Sequence, residues 1–184
     1  MFDDIKKAFT RFEVAYVTYL SKQDNIPVSS IEESIEEQMK SLKNMYKSTD
    51  ILAMYMLRQI NQMQRESENK SIDFFGYMKN FLKKYQSIND SKTVDVNEIV
   101  ELLEPHFGFK VSNKNWKSIN AYEIVYKETG IINSIYTDVL SFRDEYSVRL
   151  IKEKLQEYDR LFIMMGADHI KIQKKYLENY FNEL

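Results

Sequence analysis

The chain has 184 residues, of which 43% are hydrophobic and 29% charged, so it is long enough for a sizeable core. A net charge of -2 without a dense Lys/Arg cluster argues against a nucleic-acid-binding protein. The absence of cysteine excludes disulfides, thiolate catalysis and cysteine-based zinc sites. The amino end lacks the order of a signal peptide, and no run approaches the roughly 20 apolar residues of a membrane span. We therefore expect a soluble, cytoplasmic protein.

Glycine and proline are scarce, with four and two residues, which favours long helices and few hairpins. Apolar residues at spacings of three and four predict amphipathic helices along most of the chain. These predicted helices cover residues 2–20, 31–46, 51–63, 72–85, 95–103, 119–128 and 131–142.

Capping residues and breakers mark several helix ends. Ser29 or Ser30 is expected to cap the second helix and Asp95 the fifth, and Pro105 is expected to end the fifth. Residues 107–112 could form a short strand. We divide the chain into a helical region, 1–90, and a second region, 91–184, with one domain overall as the alternative.

The longest unbroken apolar run, Leu161 to Met165, is followed at once by Gly166. Charged helical patterns flank it, which predicts a helix, a short buried strand at about 160–165, a tight turn and a helix. The fold class is then α+β and predominantly α, with the strand left from an incomplete α/β core. Gly166 would allow the turn. His169 would then lie past the carboxyl end of a strand, where ligands bind in open α/β sheets.

A second interpretation of the same stretch stays open. Apolar residues from Ile151 to Met165 also recur at spacings of three and four, so one helix over residues 145–165 could end at Gly166. His169 would then follow a helix, and no sheet edge would be present.

Three polar residues near the carboxyl end are candidates for catalysis or ligand binding. Arg143 and Asp144 are predicted to lie at a break between two helices. The fixed donors of an arginine suit a carboxylate, a phosphate or a developing oxyanion. His169 could act as a base, an acid or a metal ligand. The alternative is that Arg143 and Asp144 only cap helices.

These residues carry a resemblance to a known group of proteins. Arg143-Asp144, a helix ending near Leu155 and the sequence of residues 159–169 resemble the last part of the TraB/Tiki/erythromycin-esterase-like superfamily. The resemblance covers residues 141–180 at most. It implies an α/β core with helical insertions. Members include proposed metal-dependent peptidases, proteins that limit peptide-pheromone signalling, and esterases that use histidine without a serine nucleophile.

By this resemblance Gly166 and His169 match a terminal Gly-x-x-His motif, and Arg143 matches the arginine that precedes it. The family also has an amino-terminal strand that ends in a Gly-Thr-x-His-like motif, and no counterpart occurs before residue 30. We therefore expect a missing amino-terminal half or a partner chain to complete the site.

The leading interpretation is a hydrolase-like protein of the type that acts on ester or peptide bonds. The chain could be a fragment or an inactive remnant of such a protein. His169, Arg143 and Asp144 are its predicted catalytic residues. Gly166 is the predicted cofactor-binding position, and His169 is the predicted ligand of a divalent metal whose identity is unknown. The alternative is a helical interaction or regulatory protein without catalysis, which the helices rich in Met, Tyr and Phe favour.

Overall fold

The computed structural model describes residues 12–66, 72–85 and 95–182, and the secondary structure within them is helical throughout. Besides a short 3₁₀ helix, Trp116–Ser118, these residues form α1 (Phe12–Gln23), α2 (Ile35–Lys43), α3 (Ser48–Glu66), α4 (Phe74–Lys83), α5 (Val96–Phe107), α6 (Ala121–Tyr126), α7 (Ile131–Glu157) and α8 (Ala167–Asn182). The predominantly α character is confirmed. The predicted helical residues Phe2, Ile5 and Phe9 lie outside the described residues.

The predicted strand at about 160–165 is wrong, since no strand occurs in the described ranges. A strand needs a neighbour for its backbone N–H and C=O groups, and the backbone of residues 159–165 forms no hydrogen bond to the backbone of a described residue. The short strand considered for residues 107–112 is also absent, because α5 runs to Phe107 and irregular structure follows. The alternative helix over 145–165 is wrong too, since α7 ends at Glu157.

The predicted break at Arg143 and Asp144 does not occur, because α7 is continuous from Ile131 to Glu157. Neither residue is a strong helix breaker. Buried apolar side chains recur on both sides of the pair, at Val139 before it and at Val148 after it. The helical face that the sequence predicted for 131–142 therefore extends through the pair and places Asp144 among buried positions.

Local signals account for the ends of several helices. Ser34, not Ser29 or Ser30, caps α2, and its Oγ accepts a hydrogen bond from the backbone N–H of Glu37 at 3.2 Å. Asp95 caps α5 as expected, through an N–H of Asn97 at 2.8 Å. The carboxyl end of α5 differs from the prediction.

Pro105 was expected to end α5, yet the helix continues through it to Phe107. Proline removes one helical N–H, and this loss falls in the last turns of the helix, where few hydrogen bonds remain to be broken. Gly108 then adopts a φ of 71° and donates its N–H to the carbonyl of Glu104 at 3.2 Å.

The chain divides into two compact units, Ser34–Arg143 and the pair of segments Met1–Glu33 and Asp144–Leu184. The predicted boundary near residue 90 falls within residues 86–94, outside the described residues. Helix α7 contributes to both units, because the division falls between Arg143 and Asp144.

The core of the Ser34–Arg143 unit is built around α3. Every side chain from Ile51 to Leu57 is buried, and α3 packs against α2, α4, α5 and α6. The rings of Phe74 and Trp116 stack in the same core with centroids 5.6 Å apart. A helix that is buried on nearly all sides explains why this region reads as a dense run of apolar residues.

In the other unit, α7 and α8 run in the same direction. Asp144 contacts His169, and farther along both helices the Nζ of Lys152 lies 5.0 Å from the ring centroid of Tyr180. Residues 158–166 therefore return along α7 by about 20 Å, given a helical rise of about 1.5 Å per residue. Nine residues in a helix would cover only about 14 Å. The return segment, residues 158–166, is therefore extended.

Candidate functional site

Asp144 and His169 form the candidate site. The Nδ1 of His169 lies 2.9 Å from Oδ1 of Asp144, within hydrogen-bond distance. The Asp144 side chain is 8% exposed and that of His169 is 27% exposed. Asp144 comes from the middle of α7 and His169 from the first turn of α8. The parallel arrangement of the two helices brings the residues together.

This contact fixes which nitrogen of the ring is available. An ionised carboxylate only accepts hydrogen bonds, so Nδ1 of His169 is the donor to Asp144. In the neutral imidazole, Nε2 then carries the lone pair. The His169 side chain is partly exposed, and the Asp144 carboxylate holds its ring at Nδ1. A lone pair on Nε2 can take a proton from a water or a hydroxyl group.

Gln173 completes the cluster on the buried side. Its Nε2 donates to the same Oδ1 of Asp144 at 2.7 Å, and the residue is 2% exposed. Since the carboxylate accepts, the amide oxygen of Gln173 has to point the other way. That oxygen, Oε1, is buried and finds no donor among the described residues. Buried acceptors are normally paired, so Oε1 is a position that a water or a ligand N–H would satisfy.

Gly166 lies directly before α8, and its carbonyl accepts the N–H of Ile170 at 3.3 Å. A Cβ added at Gly166 would meet only Cδ2 of His169, at 3.6 Å, which is an ordinary contact. The turn before α8 therefore does not require glycine, in contrast to the expectation from the sequence. A cofactor-binding role for Gly166 stays a prediction.

Arg143 is half-buried and precedes Asp144 in α7, at the end of the other unit. Within that unit it acts on Tyr136. Burial raises the pKa of Tyr136, and the charges of Arg58 and Arg143 partly oppose that rise. The catalytic role predicted for Arg143 stays a prediction.

The described residues do not offer a full set of ligands for a metal. No group of three or more His, Cys, Asp or Glu side chains is placed to hold an ion in residues 12–66, 72–85 and 95–182. His169 and Asp144 could at most supply one ligand and the carboxylate behind it, since Nδ1 already donates to Asp144. The predicted role of His169 as a metal ligand thus lacks its companions in this part of the chain.

The second of the two histidines, His106, has a different environment. Its Nδ1 lies 3.6 Å from Oε2 of Glu128, and both side chains are more than 40% exposed. Exposed pairs of this kind contribute little to stability, roughly 0–1 kcal/mol. His106 is therefore a matched control for His169.

The sequence brought Asp144 and His169 into one hypothesis but missed Gln173. Gln173 follows His169 by one helical turn, at the i+4 position, so the two side chains share a face of α8. That spacing was the available signal. The burial of Gln173 depends on its hydrogen bond to Asp144, and the sequence analysis predicted Asp144 at a helix end. A buried role for Gln173 was therefore not predicted.

No protein-family model, curated protein or solved structure matches this chain. The resemblance to the TraB/Tiki/erythromycin-esterase-like superfamily therefore remains a proposal that depends on the residues between 141 and 180. No helix in the described ranges is both long and apolar enough to cross a membrane.

Proposed function

We propose that residues 144–182 carry a histidine-based acid–base site of hydrolase type, acting on ester or peptide bonds. The observation that supports it is the hydrogen bond of 2.9 Å between His169 Nδ1 and Asp144 Oδ1. In this arrangement Asp144 orients the ring and stabilises its protonated form. His169 takes a proton from the attacking water through Nε2 and returns it to the leaving group.

Gln173 has a supporting role in this proposal. Its amide N–H group helps hold the Asp144 carboxylate, and its unpaired Oε1 would accept a hydrogen bond from a buried water. The resemblance to histidine-dependent esterases agrees with a mechanism in which water, and not a serine, attacks the carbonyl carbon.

In this proposal the extended return segment, residues 158–166, is where a partner chain would pair. From Asp159 to Met165 the backbone forms no hydrogen bond to the backbone of a described residue. An apolar extended segment with unpaired N–H and C=O groups is a template for a strand of another polypeptide. Amide hydrogen exchange tests this: these amides should exchange rapidly in the chain alone, and slow exchange would contradict the proposal.

The experiment for catalysis compares four proteins on a panel of esters and peptides: the parent chain, His169→Ala, Asp144→Asn and His106→Ala. His169→Ala should lose hydrolysis above background, and His106→Ala should retain it. Asp144→Asn keeps an oxygen that can accept both hydrogen bonds but removes the charge. It should therefore lower kcat and change the pH profile while the fold persists.

Two results would contradict the proposal. One is that the parent chain hydrolyses nothing faster than His169→Ala does, with or without added divalent metal. The other is that His106→Ala loses as much activity as His169→Ala. Circular dichroism of each variant separates a loss of chemistry from a loss of fold.

A helical interaction protein is the second candidate function, and exposed apolar side chains favour it. Ile172 and Tyr176 lie on α8 and are 48% and 57% exposed. An apolar surface of this kind can bind a helix of another chain. Sedimentation of the parent chain and of an Ile172→Ser, Tyr176→Ser double variant tests association between copies. Association that the double variant abolishes supports this function, and a monomer over all concentrations contradicts association between copies.

A further inference from the structure

A cavity of about 270 Å³ lies within the unit formed by Met1–Glu33 and Asp144–Leu184. Helix α1, the loop at residues 26–31, the last part of α7 and the return segment all contribute to its wall. Most of the lining is apolar, and side chains from the last three of these elements include Ile26, Val28, Leu150, Ile151, Leu161 and Ile163.

Two cations accompany this apolar lining, Lys154 and Arg160, and no acidic side chain is part of it among the described residues. Lys154 already has a partner, since its Nζ lies 2.7 Å from Oε2 of Glu157. Arg160 is exposed and forms no ion pair with a described residue. The free charge at the cavity is therefore positive.

We propose that this cavity binds the alkyl chain of a carboxylate-bearing ligand of the fatty-acid class, with Arg160 pairing the carboxylate. Arginine suits this role because its fork of donors matches the two oxygens of a carboxylate. A methylene group takes up about the same volume as a water molecule, about 30 Å³. The cavity then accommodates a chain of roughly eight to ten carbons.

The size of the cavity favours one alkyl chain as the ligand over a protein partner. A stable protein interface covers about 800 Å² on each side. A cavity of about 270 Å³ takes only one or two side chains of such a partner. The lining includes neither Asp144 nor His169, so this inference goes beyond the proposed hydrolase function and does not depend on it.

Calorimetric titration of the full chain with fatty acids tests the inference directly. Decanoate should bind saturably with one molecule per chain. The affinity should rise about fourfold for each methylene added from hexanoate to decanoate, because each buried methylene contributes a constant increment. Decanol, which lacks the charge, should bind more weakly than decanoate.

Variants then locate the site. Val28→Trp places a larger side chain at the cavity wall and should abolish decanoate binding, and Val28 is 53% exposed, so the fold should tolerate the change. Val14→Trp is the matched control, because Val14 is 65% exposed and does not line the cavity.

Arg160→Gln should weaken decanoate by about two- to fivefold, as for an exposed ion pair, and leave decanol unchanged. Arg149→Gln, on the surface of α7 and outside the lining, should change neither. The inference is overturned if decanoate shows no saturable binding up to about 1 mM. It is also overturned if Val28→Trp binds as the parent does, or if Arg160→Gln has no effect.

Discussion

The Nδ1 of His169 lies 2.9 Å from Oδ1 of Asp144, although 25 positions separate the two residues in the chain. Gln173 adds a second donor to the same oxygen at 2.7 Å. Asp144 is therefore the acceptor that joins two residues of α8 to the middle of α7. The same carboxylate holds the helices together and orients the only histidine in this unit's described residues.

Replacing Asp144 by alanine should destabilise the chain. His169 Nδ1 and Gln173 Nε2 would each lose their acceptor, and Gln173, at 2% exposure, has no access to bulk water as a replacement. A buried donor left without a partner costs about 1–3 kcal/mol, so Asp144→Ala should lower the free energy of unfolding by that order. Denaturant titration followed by circular dichroism measures the change.

Asp168→Ala is the control for Asp144→Ala, because the Asp168 side chain is 94% exposed and lies 3.5 Å from Lys171. It should change the free energy of unfolding by less than about 0.5 kcal/mol. Equal effects of the two variants would show that the contact of Asp144 with α8 does not contribute to stability.

Substitution by alanine should change the free energy of unfolding differently at two glycines. Gly166→Ala should fold with a free energy of unfolding within about 0.5 kcal/mol of the parent, since its added Cβ makes only an ordinary contact at 3.6 Å. Gly108 has a φ of +71°, a left-handed conformation, so Gly108→Ala should cost about 1–2 kcal/mol. Thermal unfolding of both variants checks this, and a larger loss for Gly166→Ala would refute the ordering.

The sequence predicted what depends on local spacing and missed what depends on distant neighbours. The spacing of apolar residues over 51–63 predicted α3, and Asp95 predicted the start of α5. Both signals lie within a few residues of the helix that they predict. The run from Leu161 to Met165 has the composition of a strand. Its conformation depends on a pairing partner, which no local pattern reveals.

The continuity of α7 shows the same limit at Asp144. Arg143 and Asp144 interrupt the pattern of apolar residues on one helical face. Such a charged pair indicates a helix end, since charged residues rarely occupy buried positions. Asp144 is buried because His169 and Gln173 donate to it from α8. The sequence placed Asp144 and His169 in one set of candidate catalytic residues, while the role of Gln173 needed the parallel arrangement of the two helices.

The hydrogen bond from Tyr46 to Asp138, at 2.6 Å, should make stability depend on alkaline pH. This bond, together with partial burial and the negative charge of Asp138, raises the pKa of Tyr46 from 10.0 to about 12. The tyrosine of the unfolded chain therefore ionises first. The contribution of Tyr46 is fully present below about pH 10 and is lost as the pH rises through 12.

Tyr46→Phe should therefore lower the free energy of unfolding by about 1 kcal/mol at pH 7. The difference from the parent should shrink between pH 10 and 12. Burial also raises the pKa of Tyr85 to about 12, but Tyr85 is present in both proteins and cancels in the comparison. A difference that stays constant across this pH range would contradict the role of the Tyr46 hydrogen bond.

The stacked pair Phe74 and Trp116 should report on the core of the Ser34–Arg143 unit. Phe74 is fully buried, so Phe74→Ala should cost about 3–5 kcal/mol. Trp116 is the only tryptophan, so its emission follows this core alone and should shift to the red in the variant. Phe162→Ala is the control, because Phe162 is 81% exposed and should change both readouts little.

The tautomer of His169 shows whether Asp144 orients its ring. Long-range ¹H–¹⁵N NMR spectra at about pH 8.5, where histidine is ordinarily neutral, distinguish the two ring nitrogens. His106→Ala removes the signals of the only other histidine and assigns those of His169. If Asp144 orients His169, the hydrogen resides on Nδ1, and Asp144→Ala abolishes this preference. A hydrogen on Nε2 in the parent chain would show that Nδ1 does not donate to Asp144 and would exclude this role of the carboxylate.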